Sequence, residues 1–308
     1  MVTVIGGTNI DIQGYPARVL SLHDSNPGSV RLGAGGVARN VAENLARLGL
    51  SVGLLSAFGD DGFAQSILAE LHGLGIDTSP SLVLRGGRTS IYLCIMDEAG
   101  GLLAAVSDME GVERIDPLWI DRNAEILRGS ELCVVDANLP EKTIDHLVRS
   151  FPDLPFVLDA VSAAKAVRAR THVGRFVAVK PNLREAEVLT GRAIESDGDL
   201  DRAAALMHEA GTRLVFISLG ERGLYYSGGE AHGIVAAPAR TIASTNGAGD
   251  AATAGIAFGL VRGYPVETIA RLAAAAASLG AEVGESVNHS MTAPLLEAHA
   301  AEVAIERR

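Results

Sequence analysis

Residues 176–218 read FVAVKPNLREAEVLTGRAIESDGDLDRAAALMHEAGTRLVFIS, and this stretch decides the fold. Its ends, Phe176–Val179 and Leu214–Ser218, are short, nearly all-apolar runs of the kind found in strands buried on both faces. Between them, Leu183–Thr190 and Leu200–Ala210 repeat apolar residues at helical spacing. The same alternation extends outward. Val2–Ile5, Val52–Ala57, Cys133–Asp136 and Phe156–Asp159 read as strands, and Val37–Leu48, Phe63–Leu74, Pro117–Leu127 and Glu141–Arg149 as helices. The C-terminal part, Gly249–Arg262, Val266–Ala281 and Pro294–Ala304, is helical. Alternation of this kind predicts an α/β protein with a central, mainly parallel sheet flanked by helices on both sides.

Two regions break the pattern, about residues 12–34 and 83–106. In the second, Val83–Arg85, Ser90–Met96 and Leu102–Val106 read as strands turning at Gly86-Gly87 and Gly100-Gly101. They predict a small inserted β-sheet, placed as a lid above the carboxyl ends of the parallel strands, where open α/β sheets bind ligands. Neither a repeat nor a Pro/Ser-rich linker divides the 308 residues, so a single domain over 1–308 is expected.

Composition narrows the partners. The 37 acidic and 26 basic residues leave a formal charge of −11, and only Lys142, Lys165 and Lys180 are lysines, which disfavours nucleic acid. A small phosphate ligand is still compatible, because oriented backbone N–H groups hold it without net positive charge. Cys94 and Cys133 lie inside apolar strand-like runs, as buried reduced thiols do. The start lacks a signal-like segment, and Leu272–Val283 is too short to cross a bilayer. A cytoplasmic protein without a membrane partner is expected. The eight histidines show no metal spacing, and Trp119 reads as packing.

The sharpest local signal is Thr245-Asn246-Gly247-Ala248-Gly249-Asp250-Ala251-Ala252, which opens an alanine-rich helix. Glycines there let N–H groups converge at a helix N-terminus, a natural anion hole. Asp250 is then either a helix cap or a base beside that hole, able to accept the proton of an attacking hydroxyl. Gly247-x-Gly249-x-x-Ala252 and Gly33-x-Gly35-x-x-Ala38 also fit a loose dinucleotide pattern. Neither lies in the first βαβ unit, however, and a carboxylate inside a phosphate cradle would repel a resting pyrophosphate. The chain has no Gly-Lys dipeptide, hence no P-loop, and no His-Arg-Asp catalytic loop.

Gly35-Gly36-Val37-Ala38-Arg39-Asn40, followed by Ala42-Glu43-Asn44-Leu45-Ala46-Arg47-Leu48-Gly49, resembles the first signature of the PfkB/ribokinase family of carbohydrate kinases. Gly247-Ala248-Gly249-Asp250 resembles the second, more than 200 residues later. Asn9-x-Asp11, placed in the first strand, Lys180-Pro181-Asn182-x-x-Glu185 and Ser218-Leu219-Gly220-x-x-Gly223 follow in the family's order. The resemblance implies a ribokinase-like fold and transfer of the γ-phosphoryl of ATP to a sugar-like hydroxyl. It makes Asp250 the base and Gly247, Ala248 and Gly249 the anion hole. Asp11, Asn9, Gly35, Gly36 and Asn40 would hold the sugar hydroxyls. Lys180, Ser218, Gly220, Gly223 and Asn246 would lie along the nucleotide, and Asn182 and Glu185 would organise Mg²⁺, through water. Read without the family, Asn182 and Glu185 equally make a helix cap with its partner. Lys165 is either a phosphate contact or a surface lysine.

Within the family, residues 6–14, Ala105–Met109 and Glu285–Asn288 resemble the branch that phosphorylates pseudouridine. That resemblance turns Asp108 and Met109 toward the acceptor; read alone they form a turn. Two departures stand out: His289 where the branch has Pro, and Ala252 where many members carry an aromatic residue. Ser244 before Thr245, in place of an acidic residue, leaves a monovalent cation open. Family members with such a lid pair through it, which implies a homodimer. The other readings are a kinase for ribose, uridine, inosine or a related sugar, or a catalytically weak ligand sensor.

Overall fold

The computed structural model describes residues 1–98, 101–236 and 242–308. Among these, fifteen strands are formed: β1 (Val2–Ile5), β2 (Asn9–Pro16), β3 (Gly28–Gly35), β4 (Val52–Leu55), β5 (Ala57–Gly59), β6 (Leu82–Leu84), β7 (Ser90–Met96), β8 (Leu102–Asp108), β9 (Leu132–Asp136), β10 (Phe156–Asp159), β11 (Ala178–Lys180), β12 (Leu214–Ser218), β13 (Leu224–Gly228), β14 (Ala231–Val235) and β15 (Ile305–Arg307). Nine of them make the main sheet in the order β15-β14-β13-β12-β11-β10-β9-β1-β4. The run from β4 to β12 is parallel, and β13, β14 and β15 extend it as an antiparallel edge.

Alternate residues along each central strand point to opposite faces, so apolar residues at every position supply two cores. Val134 and Val157 face one, and Cys133, Val135, Phe156 and Leu158 the other. The first core packs under the helices Val37–Arg47, Gly62–Gly73, Ala248–Val261, Val266–Ala281 and Ala293–Glu302. The second packs under Glu141–Ser150, Leu183–Thr190 and Asp197–Ala210. The expectation of an α/β protein with a central, mainly parallel sheet flanked by helices matches this architecture. The expected helix over Pro117–Leu127 is two shorter ones, Pro117–Arg122 and Ala124–Arg128, meeting at Asn123, whose side chain bonds back to the Trp119 carbonyl.

A separate four-stranded sheet has the order β3-β2-β7-β8. Its composition differs from the sequence reading in two ways. Asn9 and Asp11 belong to this small sheet rather than to the first strand of the main one, because β1 ends at Ile5 and the chain crosses over at Gly6-Gly7. Residues 82–84 pair in parallel with β5, outside the small sheet, so Gly86-Gly87 closes no hairpin. The carboxylates after β5 account for this: Asp60 accepts the Gly86 N–H at 2.7 Å, and Asp61 accepts both the N–H and the hydroxyl of Thr89. These bonds hold the segment against β5 and release the chain into β7 only at Ser90. The β7–β8 pair is antiparallel as expected; Gly100 of its predicted turn lies outside the described residues.

Candidate active site

The parallel strands end at a row of buried polar groups. Asp136 closes β9, Asp159 closes β10 and Lys180 closes β11. Asp136 accepts N–H bonds from Gly7 (2.8 Å), Ala38 (2.9 Å) and Asn138 (2.9 Å), which ties the first crossover and the start of helix Val37–Arg47 to the sheet. Burial pushes its carboxyl up to about 6 against those bonds, with Asp159 adding to the rise. Asp159 accepts from the Thr253 hydroxyl and the Val161 N–H, and pairs with Lys180 at 3.2 Å. Burial opposes the charge on Lys180, but the carboxylates of Asp159, Glu185 and Asp250 outweigh it and hold the ammonium above its ordinary pKa.

Asp250 stands in the first turn of helix Ala248–Val261. The helix is entered through Gly247, whose φ of 76° and whose approach to the Ser286 carbonyl both exclude a side chain. Asn40, on helix Val37–Arg47, donates its amide N–H to Asp250 Oδ2 at 2.8 Å. Burial and then Asp159 push the Asp250 carboxyl up to about 7; Asn40 and Lys180 pull it down, and Asp136 adds to the rise. A carboxyl held there changes protonation near neutrality, as a general base does. Asp250 borders one cavity, and Arg39, next to Asn40 on the same helix, borders a second.

The first cavity, about 430 Å³, is lined by Asp159, Lys180, Asn182, Glu185, Gly249 and Asp250 at one end, and by Ser218, Gly220 and Gly223 farther along. Ala273, Ala274, Ala277 and Ala281 of helix Val266–Ala281 form a flat apolar wall. Asn182 and Glu185 make a complete capping box: Asn182 Oδ1 accepts the Glu185 N–H at 2.9 Å and Glu185 Oε2 accepts the Asn182 N–H at 2.9 Å. The Asn182 amide also donates to Glu185 Oε1 at 2.7 Å, while burial raises the Glu185 carboxyl. The cap and the cavity-lining role therefore coincide in the same two residues.

The second cavity, about 660 Å³, lies between the small sheet and residues 284–289. Asp11, Gln13, Arg31, Arg39, Glu70 and His289 line it. Asp11 accepts from Asn9 at 2.6 Å, and a Cβ at Gly35 would strike its carboxylate, so glycine there leaves the carboxylate room. Burial raises the Asp11 carboxyl despite Asn9 and Arg39.

Some sequence-predicted positions lie elsewhere. Asn246 lines the second cavity, not the first. Asp108 and Met109 line neither: Asp108 is exposed at the end of β8, where its carboxylate turns back to the Glu110 N–H, and Met109 packs on the core beneath. The half-buried Lys165 also lines neither cavity. Conversely, Asp136, Asp159, Thr253 and Arg39 were not singled out from the sequence. The available signal was an apolar strand ending in a carboxylate, LCVVD at 132–136 and FVLD at 156–159, since carboxyl ends of parallel strands are where such sites form.

The profile described as pfkB family carbohydrate kinase matches residues 1–292. The chain belongs to the PfkB family. This PfkB-family kinase is accordingly a phosphotransferase acting on a hydroxyl group of a sugar or nucleoside, and kinases of the family use ATP. It is 35% identical to the pseudouridine kinase of Escherichia coli K12, across 90% of this chain and 89% of that one. Among solved structures, a carbohydrate kinase from Agrobacterium tumefaciens superposes with a TM-score of 0.86 at 27% identity, covering 100% of this chain and 99% of that one. Arabidopsis thaliana ribokinase complexed with ribose and ATP superposes at 0.84 and 22% identity, covering 97% and 98%, which speaks to the fold alone.

Proposed function

We propose that this kinase phosphorylates pseudouridine to pseudouridine 5′-phosphate with ATP, Asp250 serving as the base. The observation that carries the chemistry is the position of Asp250, which borders the first cavity and is bonded through Asn40 to a helix lining the second. The choice of acceptor is supported by the 35% identity to a pseudouridine kinase. In this reading the acceptor lies in the second cavity, its ribose hydroxyls held by Asp11, Asn9, Asn40 and the backbone at Gly35 and Gly36. ATP lies in the first, its adenine against the alanine wall and its chain of phosphates running past Ser218, Gly220 and Gly223 toward Lys180.

Asp250 takes the proton of the 5′-hydroxyl as the new O–P bond forms. The bond from the γ-phosphorus to its bridging oxygen breaks, and ADP leaves with those electrons. N–H groups of Gly247, Ala248 and Gly249 and the Lys180 ammonium offset the charge on the transferred group. Mg²⁺, when bound, would neutralise phosphate charge. Among the described residues no group of three or more His, Cys, Asp or Glu is arranged to hold a metal, and both Glu185 oxygens already accept from Asn182. Asn182 and Glu185 thus fit an ion carried on the nucleotide and reached through water.

The small sheet serves as the lid. Register sets Leu32, Ile12, Leu93 and Val106 side by side on one of its faces, and Leu32, Leu93 and Val106 are exposed. This apolar face supports a homodimer formed through the lid. Among the described residues no helix is long and apolar enough to cross a membrane, and the proposed compartment is the cytoplasm, where ATP is supplied.

The test is ADP release with Mg-ATP against pseudouridine, uridine, inosine, guanosine, ribose and fructose, with mass detection of the product. Preference for pseudouridine supports the proposal. Preference for another acceptor keeps the chemistry and removes the assignment, and silence across the panel points to a ligand sensor.

A further inference from the structure

Arg39 is a closely confined cation beside the site. It is 4% exposed, lines the acceptor cavity, and lies on the same helix as Asn40. One of its terminal nitrogens, Nη1, donates to Asn40 Oδ1 at 3.1 Å. The other, Nη2, reaches Glu43 at 2.5 Å and Glu70 at 3.2 Å. Glu43 is itself 1% exposed and shares its carboxylate with Arg47 at 2.7 Å and His289 at 3.5 Å. A chain of contacts therefore runs from the loop at His289, through Glu43 and Arg39, to Asn40 and Asp250.

The direction of these bonds matters. A carboxamide has one donor end and one acceptor end, and a guanidinium can only donate. With Arg39 aimed at Asn40, the carbonyl oxygen of the amide must face Arg39 and its NH₂ must face Asp250. The flipped amide would set two donors against each other at Arg39 and two oxygens against each other at Asp250. Resting on the assignment of Asp250 as the base, we infer that Arg39 is a positioning residue for the reaction: it locks the Asn40 amide so that its N–H bonds the Asp250 carboxylate.

Asp250 needs that bond to stay ionised. Asp159 from β10 and Asp136 from β9 both disfavour its charge, and the Asn40 N–H and Lys180 from β11 favour it. Around Arg39 the facing charges are Glu43 on its own helix, Glu70 on helix Gly62–Gly73 and Asp11 on β2, so the guanidinium is held from three elements. Without Arg39 the Asn40 amide can rotate, the Asp250 proton is held more tightly, and the active form appears at higher pH.

The experiment is the pH profile of kcat for Arg39→Met, with Asp250→Asn and the parent measured beside it on the best acceptor of the panel. The acid limb of Arg39→Met should move up by about one pH unit, a loss of about tenfold on that limb that closes at alkaline pH. The KM for ATP should stay within about twofold, since Arg39 does not line the nucleotide cavity. Arg39→Lys guards against misfolding: it keeps a cation beside Glu43, lacks the second nitrogen that reaches Asn40, and should show the same shift. A profile superimposable on the parent's in either folded variant, or an equal loss at every pH, overturns the inference. A nearly unimpaired Asp250→Asn instead overturns the assignment of the base, so the two failures are told apart.

Discussion

Replacing Asp250 by Asn should reduce turnover and stabilise the protein together, and both effects follow from the same buried charge. The change is isosteric, and an Asn side chain can turn its oxygen toward the Asn40 N–H that now bonds Asp250 Oδ2 at 2.8 Å. What it loses is the ability to take a proton, worth about 10²- to 10⁴-fold in rate for a positioned general base. What it relieves is a carboxylate facing Asp159 and Asp136, while Lys180 keeps its pairing to Asp159 at 3.2 Å. The folded pKa of Asp250, about 7, lies above the 3.8 of a free carboxyl, so the folded state binds this proton more tightly than the unfolded one. Stability from this group is present at acid pH and is lost as pH rises from about 4 through 7. The Asn variant escapes that loss. Its melting temperature should exceed the parent's at about pH 8 by roughly 2 °C for each ~1 kcal/mol recovered, and the difference should vanish towards about pH 4. Calorimetry across that range and single-turnover assays at saturating ATP measure both effects. Turnover within tenfold of the parent would remove Asp250 from the base role. A stability gain independent of pH would show that charge burial is not its source.

Three further outcomes are expected. Lys180→Met leaves Asp159 without its ion-pair partner in a buried site and should cost about 3–5 kcal/mol by chemical denaturation, together with most of the activity; a loss below about 1 kcal/mol would refute the weight given to this ion pair. Gly247→Ala places a methyl group on the Ser286 carbonyl at a left-handed backbone, so helix Ala248–Val261 must shift at its start. That variant should lose at least about tenfold in kcat even where its melting temperature falls little, and parental kcat would refute the need for this close approach. Leu32→Glu combined with Val106→Glu puts charge on the apolar face of the small sheet and should halve the mass seen by light scattering. An unchanged mass would refute the proposed pairing through that face.

Much of the architecture could be read along the chain because it depends on local periodicity. The strands Val2–Ile5, Cys133–Asp136 and Leu214–Ser218 announce themselves as apolar runs, and the family signatures around Asn40 and Asp250 are contiguous. Val83–Arg85 reads as a strand of the small sheet, yet residues 82–84 pair with β5, because bonds from Asp60 and Asp61, more than 20 residues away, to Gly86 and Thr89 hold the segment there. The resemblance turns Asp108 and Met109 toward the acceptor, yet β8 runs along the far edge of the small sheet and the exposed Asp108 at its end accepts the Glu110 N–H.

The sequence alone thus determined the α/β class, the alternation of elements, the glycine entry to the helix of Asp250 and membership of a kinase family, since each is carried by neighbouring residues. Tertiary structure decided which charges meet. Asp136, Asp159 and Lys180 converge only because β9, β10 and β11 lie side by side in the sheet, and Asn40 reaches Asp250 across 210 residues only because both helices pack on one face of it. Strand order and helix packing are settled by the burial of whole faces, and no local pattern encodes them.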